Sequence, residues 1–388
     1  MSFKRLFSRS LEAAPGRLHV AAHSHHLWPD ASRAGQVECW DDAARLADHK
    51  WDRVMGEVWP EAAANVAAEL GIGAEQADRI VFAANTHDFL LRLAAACPRR
   101  ARGPLRVLAS DGEFHSARRQ FARWVEAGEI LLETVPVAPF DDFAARFAAR
   151  AASGQHDLVM VSQLLFGTGQ LVDPLAPIIE LADPDGPWVV IDGYHSFMAI
   201  EAPFAQAWSE RAFFLGGGYK YAMAGEGMGF MCCPPGFGER PPLTGWYAEF
   251  EDLSLPPGMV GYAKDAMRFM GATFDPSALY RFNAVRRMLA GEGLDTAAIS
   301  AHVAQLQARA VAAFADSPLG AAELLNPLGA GPHARFLAYR HADAARWCAA
   351  LKAADCVTDV RGEVIRFGFG LYHDADDVDR LAALVRAL

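Results

Sequence analysis

Between residues 79 and 232, short apolar runs alternate with longer stretches of helical periodicity, and this alternation narrows the fold more than any other feature of the chain. The runs are 79–84 (RIVFAA), 105–110 (LRVLAS), 130–135 (ILLETV), 157–162 (DLVMVS), 188–192 (WVVID), 212–215 (AFFL) and 229–232 (GFMC). Runs of this length, rich in β-branched and aromatic residues, read as buried strands. Between most of them lie helix-like segments such as 86–96, 115–127 and 140–152. Strand and helix in alternation predict an α/β fold whose mainly parallel sheet is wrapped on both faces. Sites in such sheets form beyond the carboxyl ends of the strands.

Proline-rich breaks at 233–242 (CPPGFGERPP) and 255–258 (LPPG) mark a joint. Beyond it, 277–289, 295–314, 342–353 and 376–388 read as helices. The segments 334–339, 356–360 and 364–367 read as strands, the last two paired. The expected organisation is an N-terminal arm over 1–30, a large domain over 31–255 and a small C-terminal α+β domain over 256–388. A chain of 388 residues is long enough for this. A net charge of -11 with no basic run argues against a nucleic-acid surface. No segment has the apolar length of a membrane span, and the first residues lack the apolar stretch of a secretory signal. Six cysteines without a CxxC pair fit a reduced, cytoplasmic setting.

The chemistry concentrates on one lysine. The chain has only Lys4, Lys50, Lys220, Lys264 and Lys352, and Lys220 alone stands among glycines and aromatics, in 212–230 (AFFLGGGYKYAMAGEGMGF). A buried ammonium is costly and its pKa falls readily, which frees the neutral amine to condense with an aldehyde as a Schiff base. Asp192 ends the preceding buried run, where a carboxylate can hold a pyridine nitrogen protonated. Asn85 and Thr86 follow a strand and open a helix, so backbone amides and the Thr86 hydroxyl can cradle a phosphate. Phe114 lies just past another strand end, placed to stack on a ring. Together these four features point to pyridoxal 5'-phosphate.

On these residues the chain resembles the class V aminotransferase group of fold-type I pyridoxal-phosphate enzymes, and within it kynureninase. The resembling motifs are Tyr219-Lys220-Tyr221 with Gly225 and Gly227, Asp192 with His195, Thr168-Gly169-Gln170, and Gly245-Trp246. Towards the C-terminus they are Asp359, Arg361 and Arg366, then Leu371-Tyr372 and Asp374. The resemblance implies that Lys220 carries the cofactor, that Tyr219 bonds its phosphate and that His195 lies near its phenolic oxygen. It implies that Arg366 clamps the substrate carboxylate, a task suited to a bidentate guanidinium. Trp246 and Thr273 are implied to complete the neighbouring subunit's site, hence a homodimer, and the loop carrying His23 and Trp28 to reach the substrate pocket. The chain departs from the kynureninase pattern at Met223, at Thr273 and at 22–28 (AHSHHLW), all on the substrate side.

His23, His25 and His26 are adjacent and lack ligand partners at metal spacing, so no metal site is expected. Cys356 raises the cysteine desulfurase chemistry of a nucleophilic thiolate, but its flanks read as strand and as a buried thiol. The expected activity is a kynureninase-like hydrolytic Cβ–Cγ cleavage giving an anthranilate-type acid and alanine. A class V aminotransferase or β-eliminating lyase on the same scaffold remains open, as does a non-catalytic pyridoxal-phosphate-fold binding protein.

Overall fold

A computed structural model describes residues 2–249, 254–329 and 331–388. The apolar runs become the strands of one seven-stranded sheet. After a two-residue strand β1 (Leu18–His19), these are β2 (Ile80–Ala83), β3 (Leu105–Ser110), β4 (Ile130–Val135), β5 (Leu158–Ser162), β6 (Trp188–Asp192), β7 (Phe213–Gly217) and β8 (Gly229–Cys232). Their order is β2-β8-β7-β6-β5-β3-β4. Only β8 runs against the others, pairing antiparallel with both β2 and β7. Strands β5, β7 and β8 are buried along their whole length, and in β6 only the terminal Asp192 is partly open. Near-continuous hydrophobicity in place of alternation is what a sheet covered on both faces requires.

The helices α1 (Asp30–Leu46), α2 (Trp59–Leu70), α3 (Thr86–Ala96), α4 (His115–Glu126) and α5 (Phe143–Ala151) precede α6 (Ser277–Gly291) and α7 (Thr296–Phe314). Sequence patterning left α1 and α2 unassigned. Helix α1 buries only Ser32, Gly35 and Asp42, so it has no apolar stripe to read. It is held by close backbone approach, since a Cβ on Gly35 would lie 2.5 Å from the Tyr280 carbonyl oxygen of α6.

The C-terminal part builds a separate four-stranded sheet from β9 (Glu323–Leu324), β10 (Phe336–Arg340), β12 (Asp359–Arg361) and β13 (Val364–Gly368), in the order β12-β13-β10-β9. Here one expectation is corrected. The predicted strand 356–360 is two strands, because β11 (Cys356–Val357) pairs in parallel with β1 while β12 pairs antiparallel with β13. The chain switches partners at Thr358, whose hydroxyl bonds the Arg366 carbonyl. Several other ends shift by a few residues: the predicted strand 334–339 is Phe336–Arg340, 212–215 is Phe213–Gly217, and the predicted helix 140–152 is Phe143–Ala151. Helices α8 (Ala344–Ala353) and α9 (Ala375–Arg386) complete this part, α9 starting on a capping box between Asp374 and Asp377. The β1–β11 pairing draws the N-terminal arm across the small sheet, and Ala21 bridges Gly368.

Candidate active site

The parallel strands of the large sheet end on one side, and the polar residues there come together. Asn85 and Thr86 follow β2, Phe114 follows β3, Ser162 ends β5, Asp192 ends β6 and Lys220 follows β7. They line a cavity of about 330 Å³ with His87, Ser116, Leu164, Phe166, Tyr194, His195, Tyr219, Glu226 and Gly227 among its walls. A larger cleft of about 860 Å³ lies elsewhere, against Trp51, Trp59, Tyr262 and Lys264, and contains none of these groups.

Lys220 is 4 % exposed. Burial lowers its pKa well below the usual lysine range, and the nearby Asp192 carboxylate offsets this only in part. Its Nζ lies within hydrogen-bond distance of His195 Nε2, at 2.7 Å, and the other ring nitrogen of His195 is Nδ1. That atom is buried with no hydrogen-bond partner among the described residues. Burial and the Lys220 charge hold His195 well below its ordinary pKa, so the ring is neutral. Three aromatic rings surround the amine: Nζ lies 4.6 Å from the Tyr194 centroid, 5.5 Å from Tyr219 and 5.6 Å from Phe114.

Asp192 accepts the Tyr194 amide at 3.0 Å, and burial raises its pKa against the pull of that bond and of Lys220. A carboxylate that lines a cavity without a cation in contact suits a protonated ring nitrogen. Asn85 caps α3 by accepting the Asp88 amide at 3.1 Å, so the first-turn amides of α3 open beside the cavity. This close approach of α3 depends on Gly229, where a Cβ would sit 2.5 Å from the Asn85 carbonyl carbon. The residues present therefore fit pyridoxal phosphate: an amine, a carboxylate, a helix N-terminus and an aromatic wall around one cavity. Gly229→Ala is expected to push the Asn85–Thr86 turn away and to weaken pyridoxal phosphate binding at least tenfold, about 1.4 kcal/mol. Equilibrium dialysis against the cofactor checks this, and unchanged affinity in a folded variant would exclude the turn as a phosphate cradle.

Arg366 is 2 % exposed and lies opposite Asp359 in the β12–β13 ladder. Its Nε donates to Asp359 Oδ1 at 2.8 Å, a second nitrogen bonds Oδ2, and a third bonds the Phe166 carbonyl. Two of its five N–H groups remain for another acceptor. His23 also bonds Asp359 Oδ1, at 3.1 Å, and stacks on Phe336 at 4.7 Å. Arg366 and His195 approach the same Phe336 ring, at 5.6 and 5.7 Å. The structure thus brings His23 and Arg366 together behind the cavity wall. Trp28 is 40 % exposed, close to Gly225 and 5.2 Å from the Arg281 guanidinium, and does not line the cavity. Trp246 and Thr273 bond each other at 3.3 Å on an exposed surface, away from the Lys220 cavity of their own chain. Sequence reasoning missed Tyr194, Ser162, Phe166 and Glu226. The first of these sits inside the Asp192–His195 motif, and the neighbouring motif residues were the only available signal.

A mainly parallel sheet carrying these groups at its strand ends, followed by a small C-terminal sheet, is the class V aminotransferase-like fold of the fold-type I pyridoxal-phosphate enzymes. Among solved structures the chain is similar to a cysteine desulfurase from Thermococcus onnurineus NA1, with a TM-score of 0.76 and 17% identity over 100% of both chains. It is similar to the cysteine desulfurase CsdA from Escherichia coli, with a TM-score of 0.79 and 17% identity over 99% of this chain and 96% of that one. The cystine C-S lyase C-DES, solved with its product cysteine persulfide, matches with a TM-score of 0.77 and 15% identity over 97% and 99% of the two chains. A family model described as the kynureninase C-terminal domain matches residues 299–385. A stretch of 162 residues is 28% identical to isopenicillin N epimerase of Streptomyces clavuligerus, covering 41% of this chain and 40% of that protein. The matched region thus spans about two fifths of that relative's length.

Proposed function

We infer that the protein is a pyridoxal-phosphate-dependent enzyme that breaks a bond in the side chain of an amino acid. The observation that carries this reading is the buried, charge-poor Lys220 amine sharing one cavity with Asp192 and the N-terminus of α3. Lys220 would hold the cofactor, Asp192 its ring nitrogen, Phe114 its ring face, Asn85, Thr86 and Tyr219 its phosphate, and His195 its phenolic oxygen. When bound, pyridoxal phosphate supplies an aldehyde for the amine and a ring that accepts the electron pair left when a bond to the substrate α-carbon breaks. The chain's own residues supply the rest. Arg366 takes the substrate carboxylate on its two remaining N–H groups. Lys220, with its amine free, would take the substrate α-proton at Nζ, and its lowered pKa makes it a competent base near neutral pH. Asp192 would hold the proton on the ring nitrogen. Trp246 and Thr273, on the outer surface, would complete the site of a second copy in a homodimer, with the N-terminal arm, the large domain and the small domain divided near residues 30 and 255.

Elimination of a β-substituent, as in a C–S lyase, is the first reading of the bond broken, because the full-length structural matches include cysteine desulfurases and a cystine C-S lyase. A desulfurase thiolate has no counterpart in the cavity. Cys97, Cys232, Cys233 and Cys356 are buried, none of the six cysteines lines the cavity, and burial pushes every thiol up. Kynureninase-like hydrolysis of a Cβ–Cγ bond is the second reading, favoured by the match over 299–385. One assay separates them: the protein loaded with pyridoxal phosphate is offered cystine, cysteine, kynurenine and 3-hydroxykynurenine. Pyruvate and ammonia mark elimination, alanine with an anthranilate marks hydrolysis, and a keto acid with aminated cofactor marks transamination. Cofactor uptake without turnover of any amino acid would favour a binding protein, and no uptake at all would sink the reading.

A further inference from the structure

Glu113 is 0 % exposed, in the turn between β3 and α4. Its Oε1 accepts the Ser110 hydroxyl at 2.5 Å and the Ser162 amide at 3.2 Å, and its Oε2 meets the Ser162 hydroxyl at 2.5 Å. Among the described residues no salt bridge reaches it. Ser162 pairs with Asp192 across β5 and β6, and both line the cavity while Glu113 does not. The ends of three neighbouring strands thus carry a row of polar groups, with Ser162 between two carboxyls.

The other charged candidates are turned elsewhere. Asp111 accepts the Val137 amide at 2.8 Å, and His115 packs on Phe166 at 5.1 Å with its own pKa lowered by burial and by Arg361, Arg118 and Arg366. Asp192 is the charged group that acts on Glu113; burial first, then the Asp192 charge, push Glu113 up to about 7 against its serine bonds. Two carboxyls with no fixed cation between them do not both ionise readily. The sealed one keeps the proton, and the one that lines the cavity takes the charge.

We propose that Glu113 is a positioning residue which, through the Ser162 hydroxyl, sets the charge of the cavity floor: protonated, it leaves one negative charge, on Asp192, and ionised, it adds a second that strengthens the hold on a cationic ring nitrogen. This rests on the cofactor reading above. The proton stays on Glu113 below its ionisation, and a cation bound at the floor favours releasing it. By reciprocity, cofactor affinity rises as pH rises through that ionisation.

Two measurements test this on the full-length protein. In the cofactor-free form, the folding equilibrium constant of wild type relative to that of Glu113→Gln falls by roughly a hundredfold as pH rises from about 4.5 to 7. Pyridoxal phosphate affinity, titrated at pH 6, 7 and 8, strengthens by about three- to tenfold more in wild type than in Glu113→Gln. The cofactor's own phosphate ionisation is common to both and cancels. Ser162→Ala, which removes a bond that favours the ionised Glu113, moves both steps to higher pH. An affinity step that survives in Glu113→Gln overturns the proposal, and one that stays at its wild-type pH in Ser162→Ala overturns the route through Ser162. If the protein takes up no cofactor, the cofactor reading has failed and the proposal with it, while the stability step still reports whether Glu113 holds its proton.

Discussion

Lys220→Met is expected to abolish turnover, by at least about a thousandfold, while leaving the cofactor-free protein as stable as wild type or a few degrees more so. The two halves have one cause. The Lys220 amine is held in a site that burial makes hostile to its charge, with a neutral imidazole and three aromatic rings as its nearest neighbours. A group kept there costs folding energy, and a thioether of similar length fills the space without that cost. Against this stands the loss of one hydrogen bond to His195, worth about 1 kcal/mol. The sum is near zero or favourable, unlike the loss of a residue the fold depends on. Thermal unfolding with and without pyridoxal phosphate gives the stability half, and cofactor absorbance after dialysis together with turnover gives the functional half. A variant that loses many degrees would make Lys220 a structural donor to His195. One that keeps turnover would remove it from the chemistry.

The groups that line the cavity were legible in the sequence where local pattern and chemistry coincide. Asp192 and Lys220 each stand at or just past a buried run, so the position of each follows from strand periodicity alone. Asn85 and Phe114 were readable for the same reason, as residues opening helices after strands. Tyr194, Ser162 and Glu113 were not, because their significance comes from neighbours far along the chain. Glu113 reads as an ordinary turn carboxylate until β5 is placed beside β3, which brings Ser162 against it across 49 residues. The split at Thr358 was hidden for a similar reason. Nothing within 356–360 announces that its first two residues pair with Leu18 and His19 at the other end of the chain. Arg366 was reached through the family resemblance, and its pairing with Asp359 needs the β12–β13 register. Periodicity reports which face a residue takes, and it carries no information on which distant strand lies opposite.

That N-terminal crossing over the small sheet makes the fold acid-labile in a defined way. His19, His23, His26 and His373 cluster where residues 18–28 cross the C-terminal elements, each lowered by burial, to about 3, 4, 3 and 4. His19 Nδ1 lies 2.6 Å from the Tyr372 hydroxyl, His373 bonds the His19 carbonyl at 2.7 Å, and His26 packs edge-on against Tyr372 at 5.0 Å. All four are held neutral in the folded state, whereas the unfolded chain protonates them near 6.5. A histidine with a depressed folded pKa contributes stability that is present above 6.5 and is lost as pH falls towards the folded value. Each shift corresponds to about 3 to 5 kcal/mol, and the four are close enough that their effects do not simply add. The Glu113 contribution runs the other way, lost as pH rises towards 7. Because the histidines outnumber Glu113, stability is expected to rise with pH up to about 7 and to be lost as pH falls from about 6.5 towards 3. Denaturant unfolding across this range reads the slope, and His26→Phe, which keeps a ring against Phe7 and Tyr372, is expected to reduce the acid limb by about 1.4 kcal/mol per pH unit. Hydrogen exchange at pH 4 is expected to show residues 18–28 opening before the seven-stranded sheet. Simultaneous exchange of both, with an acid slope unchanged by His26→Phe, would place the acid sensitivity elsewhere in the molecule.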